Sequence, residues 1–308
     1  MVDIVVSEII DEAALAPLAN YSLVYDQDLV DRPGDLKAAL ADARALIVRN
    51  RTQVTRELIA AAPKLEVVGR LGVGLDNIDL DACAAAGVKV CPASGANALA
   101  VAEYAIGAMF VLFRECLSNT PAVLDGKWPR MKTREWEVAG KTMGIIGFGD
   151  IGRRTGGLAR ALGMRVIACD PLLADDDPAW KDAGKADLAT LLSEADVVSL
   201  HVPLDETTRN MIGAGELAQM KPTAILINSA RGGIIDEAAL ASALTAGDLA
   251  GASIDVFPSE PLDTEKTEKF RDVPNLVLTP HMAGLTDEAL DRVHSMVVRR
   301  VLEVLEAR

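Results

Sequence analysis

The chain has 308 residues, half of them hydrophobic, which is enough to bury a sizeable core and suits two domains. A formal net charge of −14 argues against nucleic acid or an anionic membrane surface as a partner, since both need clustered positive charge. Cys83, Cys91, Cys116 and Cys169 show no C-x-x-C spacing and fall in apolar surroundings, so we expect free thiols in a reducing cytosol and no metal site.

Taken in chain order, "MVDIVVSEII" lacks a basic leader and already reads as a first strand, and no uncharged run is long enough to span a bilayer. The expectation is a soluble, cytoplasmic protein. Strands are predicted at "DIVVS", "LVYD", "ALIVR", "LEVVGRL" and "KVCPA", with helices around 12–19, 34–41, 55–61 and 79–86, the last closed by Gly87. A long apolar helix over 98–117 and an irregular arm, "LDGKWPRMKTREWEVAGK", follow. A second array starts at "TMGIIGFGDIG" and runs through "RVIACD", "DVVSLHVP", "AILINSARG", "GASIDVF" and "NLVLTPH". Residues 286–307 space Leu290, Val293, Val297, Val301 and Leu305 as one amphipathic helix that must dock somewhere. Strands alternating with helical stretches predict an α/β protein built on parallel sheets.

Gly147, Gly149 and Gly152 form G-x-G-x-x-G between a strand (Met143 to Ile146) and a helix opening at Asp150, and the next strand ends on Asp170. The first glycine permits a tight turn, the second lets backbone approach a pyrophosphate, and the third lets helix pack on strand. Asp170 would accept hydrogen bonds from an adenosine ribose and repel a 2′-phosphate, which favours NAD over NADP; Arg153 and Arg154 complicate that preference.

Three charged residues follow three strands of the same array: Arg231 in "NSARGG", Glu260 in "DVFPSEP" and His281 in "LTPHMAG". A 2-hydroxy acid oxidised or reduced by a nicotinamide needs such groups. Arginine fixes its carboxylate bidentately, and histidine moves the hydroxyl proton. A carboxylate behind the imidazole orients it and keeps its proton available. Of the other histidines, His201 ends a strand and could line the cofactor site, whereas His294 falls within the last helix, where a surface or packing role is expected.

"GFGDIG", "NSARGGIIDEAAL", "IDVFPSEPL" and "LTPHMAG" together resemble the successive signatures of the D-isomer-specific 2-hydroxyacid dehydrogenases over nearly the whole chain. The resemblance implies Arg231 as carboxylate anchor, His281 as acid/base and Glu260 as its partner; formate dehydrogenases, similar in fold, carry glutamine at the Glu260 position. It implies two Rossmann-like, doubly wound parallel-sheet domains. The substrate domain is discontinuous and flavodoxin-like, residues 1–97 plus 286–308, with the nucleotide-binding domain, 98–285, inserted. It extends the cofactor site from the glycine loop to Asp150, Ile151, Pro171, Val202 and Pro203. Beyond these it adds Val73, Ser229, Ala230, Asp255 and Gly284, with Asn228 beside the nicotinamide. A homodimer is implied too, with the helix at 98–117 and the arm to Lys141 as the candidate contact.

For the substrate, Arg49, Arg51 and Arg70 flank apolar strands of the first array, and Arg49 and Arg70 stand at strand ends. The loop "LGVGLDNID" resembles the substrate loop of phosphoglycerate dehydrogenases, which brings in Gly72, Val73 and Gly74, and Asn97 matches a substrate-facing position there. Surplus positive charge implies a second anionic group on the acid: phosphate, sulfonate or carboxylate. Phosphoglycerate-like and sulfolactate-like acids rank level, ahead of hydroxypyruvate or glyoxylate. With the sequence ending at Arg308, a C-terminal regulatory domain is not expected. An NAD(H)-sensing binding protein of the same fold is the alternative from another class. An L-specific dehydrogenase is disfavoured, because the glycine motif begins near residue 147.

Overall fold

The computed structural model describes residues 2–130 and 135–307, and the chain divides into two compact units, Met1–Asn97 with Leu285–Arg308, and Ala98–Gly284. Residues 131–134 of the arm lie outside the described residues. No helix among the described residues is long and apolar enough to cross a membrane.

The first unit holds five parallel strands: β1 (Ile4–Val6), β2 (Leu23–Tyr25), β3 (Ala45–Val48), β4 (Val67–Arg70) and β5 (Lys89–Pro92), in the order β2-β1-β3-β4-β5. This is the flavodoxin-like order. Successive residues of a strand face opposite sides of the sheet, so a strand covered on both sides is apolar throughout. Val5, Leu46, Val48 and Val68 pack with Leu36, Leu58 and Cys83 from the helices Pro33–Leu40, Arg56–Ala60 and Leu80–Ala85. The alternate set, Ile4, Val6, Ala45, Ile47 and Val67, packs with Val293, Val297, Val298, Val301 and Leu305 of the helix Asp287–Glu306. The last helix therefore completes the sheet formed by the first hundred residues. A Cβ on Gly69 would stand 2.7 Å from both Val297 Cγ1 and Val301 Cγ2, so β4 and this helix touch through a bare backbone.

The second unit holds β6 (Thr142–Ile146), β7 (Arg165–Cys169), β8 (Gly184–Lys185), β9 (Val197–Leu200), β10 (Ile225–Asn228), β11 (Gly251–Ile254) and β12 (Leu276–Leu278). The parallel order β12-β11-β10-β9-β6-β7-β8 is a Rossmann order with one extra edge strand, and its direction of winding reverses between β6 and β9. Ligands bind such sheets at the carboxyl ends of the strands beside that reversal.

Three local differences from the sequence reading have physical causes. The predicted helix at 12–19 is a 3-10 segment, Glu12–Leu18, because Pro17 inside it has no N–H to donate. The long apolar helix ends at Phe113 rather than 117: Arg114 leaves it to bridge Glu135, with Nε 2.6 Å from the carboxylate. The two-residue strand β8 has no apolar run to announce it.

Candidate active site

The carboxyl ends of β6 and β7 build the glycine loop. Gly147 has φ +89, and a Cβ there would sit 2.5 Å from the His201 carbonyl oxygen, because His201 N–H donates to Ile146 O at 2.7 Å and draws the end of β9 in. A Cβ on Gly152 would lie 2.2 Å from Gly147 O, so the helix Asp150–Ala161 rests directly on the turn. Gly149, by contrast, faces open space and caps that helix with no side chain, leaving its first N–H groups without a side-chain acceptor. Asp170 accepts from Phe148 N at 2.8 Å and Leu172 N at 3.0 Å, one bond per oxygen, which leaves each oxygen a further lone pair. Arg154 is turned to Asp150 at 3.0 Å. Ile151 is half-buried in the first turn of the helix; Pro171 and Leu172 are exposed beside Asp170.

His201 Nε2 lies 3.0 Å from Ser199 Oγ, and burial lowers its pKa to about 4, so the ring is neutral near pH 7. Val202 sits against Gly147, and the carbonyl of the exposed Pro203 accepts from Thr208 Oγ1 at 2.7 Å.

At the end of β10, Asn228 accepts from Ala230 N at 3.0 Å and donates to Arg231 O at 2.9 Å. Its amide thus braces the turn, with one N–H and one oxygen lone pair left over. Arg231 Nη1 donates to Ala230 O at 2.6 Å. Ser229 Oγ is buried without a hydrogen-bond partner among the described residues. The two glycines that follow have different tasks. A Cβ on Gly232 would fall 1.9 Å from the Phe257 carbonyl carbon, a close backbone approach, whereas Gly233 has φ +82 and makes the turn itself.

That approach joins the Arg231 turn to the segment carrying Glu260. Glu260 Oε1 accepts from Phe257 N at 2.9 Å, and Oε2 lies 2.7 Å from His281 Nδ1. His281 has φ +57, uncommon for a residue with a Cβ. Asp255 holds it there. This fully buried carboxylate accepts from Thr279 Oγ1 at 2.5 Å, Met282 N at 2.8 Å and Ala283 N at 2.9 Å, while its carbonyl takes His281 N–H at 2.8 Å. Tyr104 Oη completes the network, 2.6 Å from Thr279 Oγ1 and 3.0 Å from Ser253 Oγ. The half-buried Gly284 closes the unit just beyond. The structure thus brings Glu260 and His281 into contact and fixes Arg231 through Gly232 on the same backbone.

In the first unit, Arg49 follows β3 and Arg70 ends β4, and both are half-buried. Arg70 Nη1 folds back over Gly72, where a Cβ would meet it at 1.5 Å, and donates to Leu71 O at 3.3 Å. Val73 is exposed and Gly74 half-buried in the following bends. Asn97 Oδ1 is buried with no hydrogen-bond partner among the described residues. Arg51 turns away to an exposed ion pair with Asp31. His294 is buried in its helix and accepts from Asp11 N at 3.3 Å.

A family model described as the D-isomer specific 2-hydroxyacid dehydrogenase, NAD binding domain, matches residues 106–283. Over the full length of both proteins the chain is 48% identical to a protein of Chromohalobacter salexigens named (S)-sulfolactate dehydrogenase. The chain belongs to the D-isomer specific 2-hydroxyacid dehydrogenases. It is also 36% identical to a D-3-phosphoglycerate dehydrogenase of Synechocystis over 99% of this chain, which spans 54% of that relative. A D-lactate dehydrogenase of Aquifex aeolicus, solved with NAD and lactic acid, superposes with a TM-score of 0.87 at 28% identity, covering 99% of this chain and 96% of that one.

As a member of this family the chain is an NAD-dependent dehydrogenase of small anionic 2-hydroxy acids. The dehydrogenase's own loop fits the dinucleotide: Gly149 leaves open the space that a side chain would fill, the helix N-terminus lacks a cap, and Asp170 is held with lone pairs to spare. Sequence reasoning missed Tyr104 and Thr279, whose ordinary hydroxyls gain meaning only through Asp255, and Glu8, which carries the Arg49 loop. A carboxylate placed just past a buried strand was the available signal for Glu8.

Proposed function

We propose that the enzyme interconverts a D-configured 2-hydroxy acid bearing a second, distal anion and its 2-oxo acid, with a sulfonate as the distal group. The observation that carries the chemistry is the 2.7 Å contact between Glu260 and His281 Nδ1, which commits Nδ1 and leaves Nε2 to exchange the proton of the substrate hydroxyl. Arg231 holds the C1 carboxylate in its guanidinium fork. Glu260 fixes the imidazole, and the Asp255 carboxylate fixes the backbone beneath it. NAD, held at the glycine loop by Gly147, Gly149, Asp150, Ile151 and Gly152, supplies the two-electron redox chemistry. Asp170 and Pro171 receive the adenosine ribose; Val202, Pro203, Ser229, Ala230 and Gly284, with Val73, complete its surroundings. On the substrate side Arg49 and Arg70 take the distal anion, and Gly72, Gly74 and Asn97 assist the carboxylate.

The full-length likeness to a sulfolactate dehydrogenase supports the sulfonate. Its (S) label agrees with a D-specific family: a CH2–SO3 group outranks carboxylate in priority, so the arrangement called (R) in D-lactate is called (S) in sulfolactate. Four free cysteines support a reducing, cytoplasmic location. A homodimer is supported by Leu117, Val123, Leu124 and Trp128, exposed together around the helix Thr120–Leu124.

An absorbance assay with NAD against (S)-sulfolactate, D-3-phosphoglycerate, D-glycerate and D-lactate tests the reading. Sulfolactate should give the highest kcat/KM. His281→Ala should lose at least about 100-fold in kcat with NADH binding intact, and Arg231→Ala should lose substrate binding. Full turnover by His281→Ala would sink the assignment.

A further inference from the structure

The loop that carries Arg49 is built around a carboxylate. Glu8 stands two residues past β1 and is 4% exposed. Its Oε1 accepts from Arg49 N at 2.8 Å and Thr52 N at 2.9 Å, and its Oε2 accepts from Asn50 N at 3.3 Å and Arg51 N at 3.1 Å. Four consecutive N–H groups converging on one point form an anion nest, and here the chain fills that nest with its own side chain. The far side of the loop is fixed as well. Ser7 Oγ lies 3.0 Å from Thr52 Oγ1, Asn77 Nδ2 donates to Thr52 O at 2.7 Å, and Val54 N donates to Asn77 O at 2.8 Å.

The loop's N–H groups are therefore committed, and only its side chains remain to meet an external anion. The two arginines diverge from this fixed backbone: Arg51 pairs with Asp31, whereas Arg49 makes no ion pair among the described residues. Its charge is felt at His294, where burial first and Arg49 second hold the imidazole below the ordinary histidine value. A guanidinium half removed from water and lacking a carboxylate partner is suited to an incoming anion, provided its backbone cannot drift.

We propose that Glu8 is a positioning residue that preforms the 49–52 loop and thereby sets the enzyme's affinity for the distal anion of its substrate. The inference rests on the reading that Arg49 takes that anion. Glu8 itself does not touch substrate; it acts through the backbone of Arg49. Replacing it should weaken recognition of the second anion and leave the chemistry at C2 unaltered.

The test compares Glu8→Gln with the wild type on (S)-sulfolactate and on D-glycerate, which lacks the second anion, and follows amide exchange of residues 49–52. Glutamine keeps the shape but turns one acceptor oxygen into a donor facing N–H groups. The expected result is a KM for sulfolactate raised about tenfold with kcat within about twofold, D-glycerate kcat/KM within about twofold, and faster exchange across 49–52. Equal KM increases for both acids, or unchanged sulfolactate KM and exchange, would overturn the proposal. Should Glu8→Gln not fold, Glu8→Asp, which keeps the charge on a shorter stem, carries the same two readouts. Arg49→Ala separates the premise from the inference. If it leaves the sulfolactate KM unchanged, the distal-anion reading falls, and the exchange of 49–52 in the Glu8 variant alone decides whether Glu8 holds the loop.

Discussion

A carboxylate that accepts four N–H groups keeps its charge to lower pH than the same residue in an unfolded chain. Burial alone would raise the Glu8 pKa, but the N–H groups of Thr52, Arg49 and Arg51 outweigh it and hold the group below the ordinary glutamate value. A folded-state pKa below the unfolded one contributes stability above the unfolded value and loses it as pH falls through the folded value. Urea denaturation should therefore show Glu8→Gln destabilised by about 1–3 kcal/mol at pH 7, with the gap to wild type closing as pH drops below about 4. A gap that stays constant from pH 7 to pH 3 would refute the ionic role. The residues that were legible in the sequence are those whose context is local. Arg231, Glu260 and His281 each stand just past an apolar strand, beside glycine or proline, where a charged side chain needs a reason. Glu8 stands just past a strand too, but its partners are some forty residues on, and no spacing rule joins them. Asn228 adds a local role that the sequence did not show: it braces the turn through Ala230 and Arg231.

Among elements, strands were read well because a parallel strand buried on both faces is an unbroken apolar run, as in "ILIN" of β10 and "VVSL" of β9. What sequence could not show is which turn touches which. Gly232 reads as a flexible link after the arginine, yet its backbone lies against Phe257 and Pro258, the segment that leads to Glu260. Gly232→Ala should force those two turns apart. We expect kcat/KM to fall about 100-fold, with a modest loss in thermal stability measured by circular dichroism. Activity within about twofold of wild type would show that the two turns are not mechanically joined. The Tyr104–Thr279–Asp255 network is the second example: three residues on three elements, the helix Ala98–Phe113, the loop after β12 and the end of β11, fix the left-handed backbone at His281.

For the molecule as a whole, the exposed apolar side chains of the arm belong to the proposed homodimer, and light scattering after size exclusion measures it directly. A mass of twice 32.6 kDa is expected, shifted toward the monomer by Trp128→Glu with Leu124→Glu. An unaltered monomeric mass in wild type would remove this part of the proposal. Alternating strands and helices announce parallel sheets, but their two-domain, doubly wound arrangement was implied only by the family resemblance, and the docking of the last helix could not be reached by periodicity alone. Its apolar stripe tells that it packs and is silent on where.

The contact at Gly69 also has a temporal side. Strands β1 to β5 leave the ribosome early, while the helix that lies on Gly69 is translated about two hundred residues afterwards, a delay on the order of 10–40 s at ordinary elongation rates. During that interval one face of the first sheet, with Ile4, Val6, Ile47 and Val67, is covered only in part, by Leu15 and Leu18 of the segment Glu12–Leu18, while residues 98–284 are still being made. The part of the protein that is made first is thus the part that is finished last. A nascent-chain holdase that binds apolar strands has its natural window of action there.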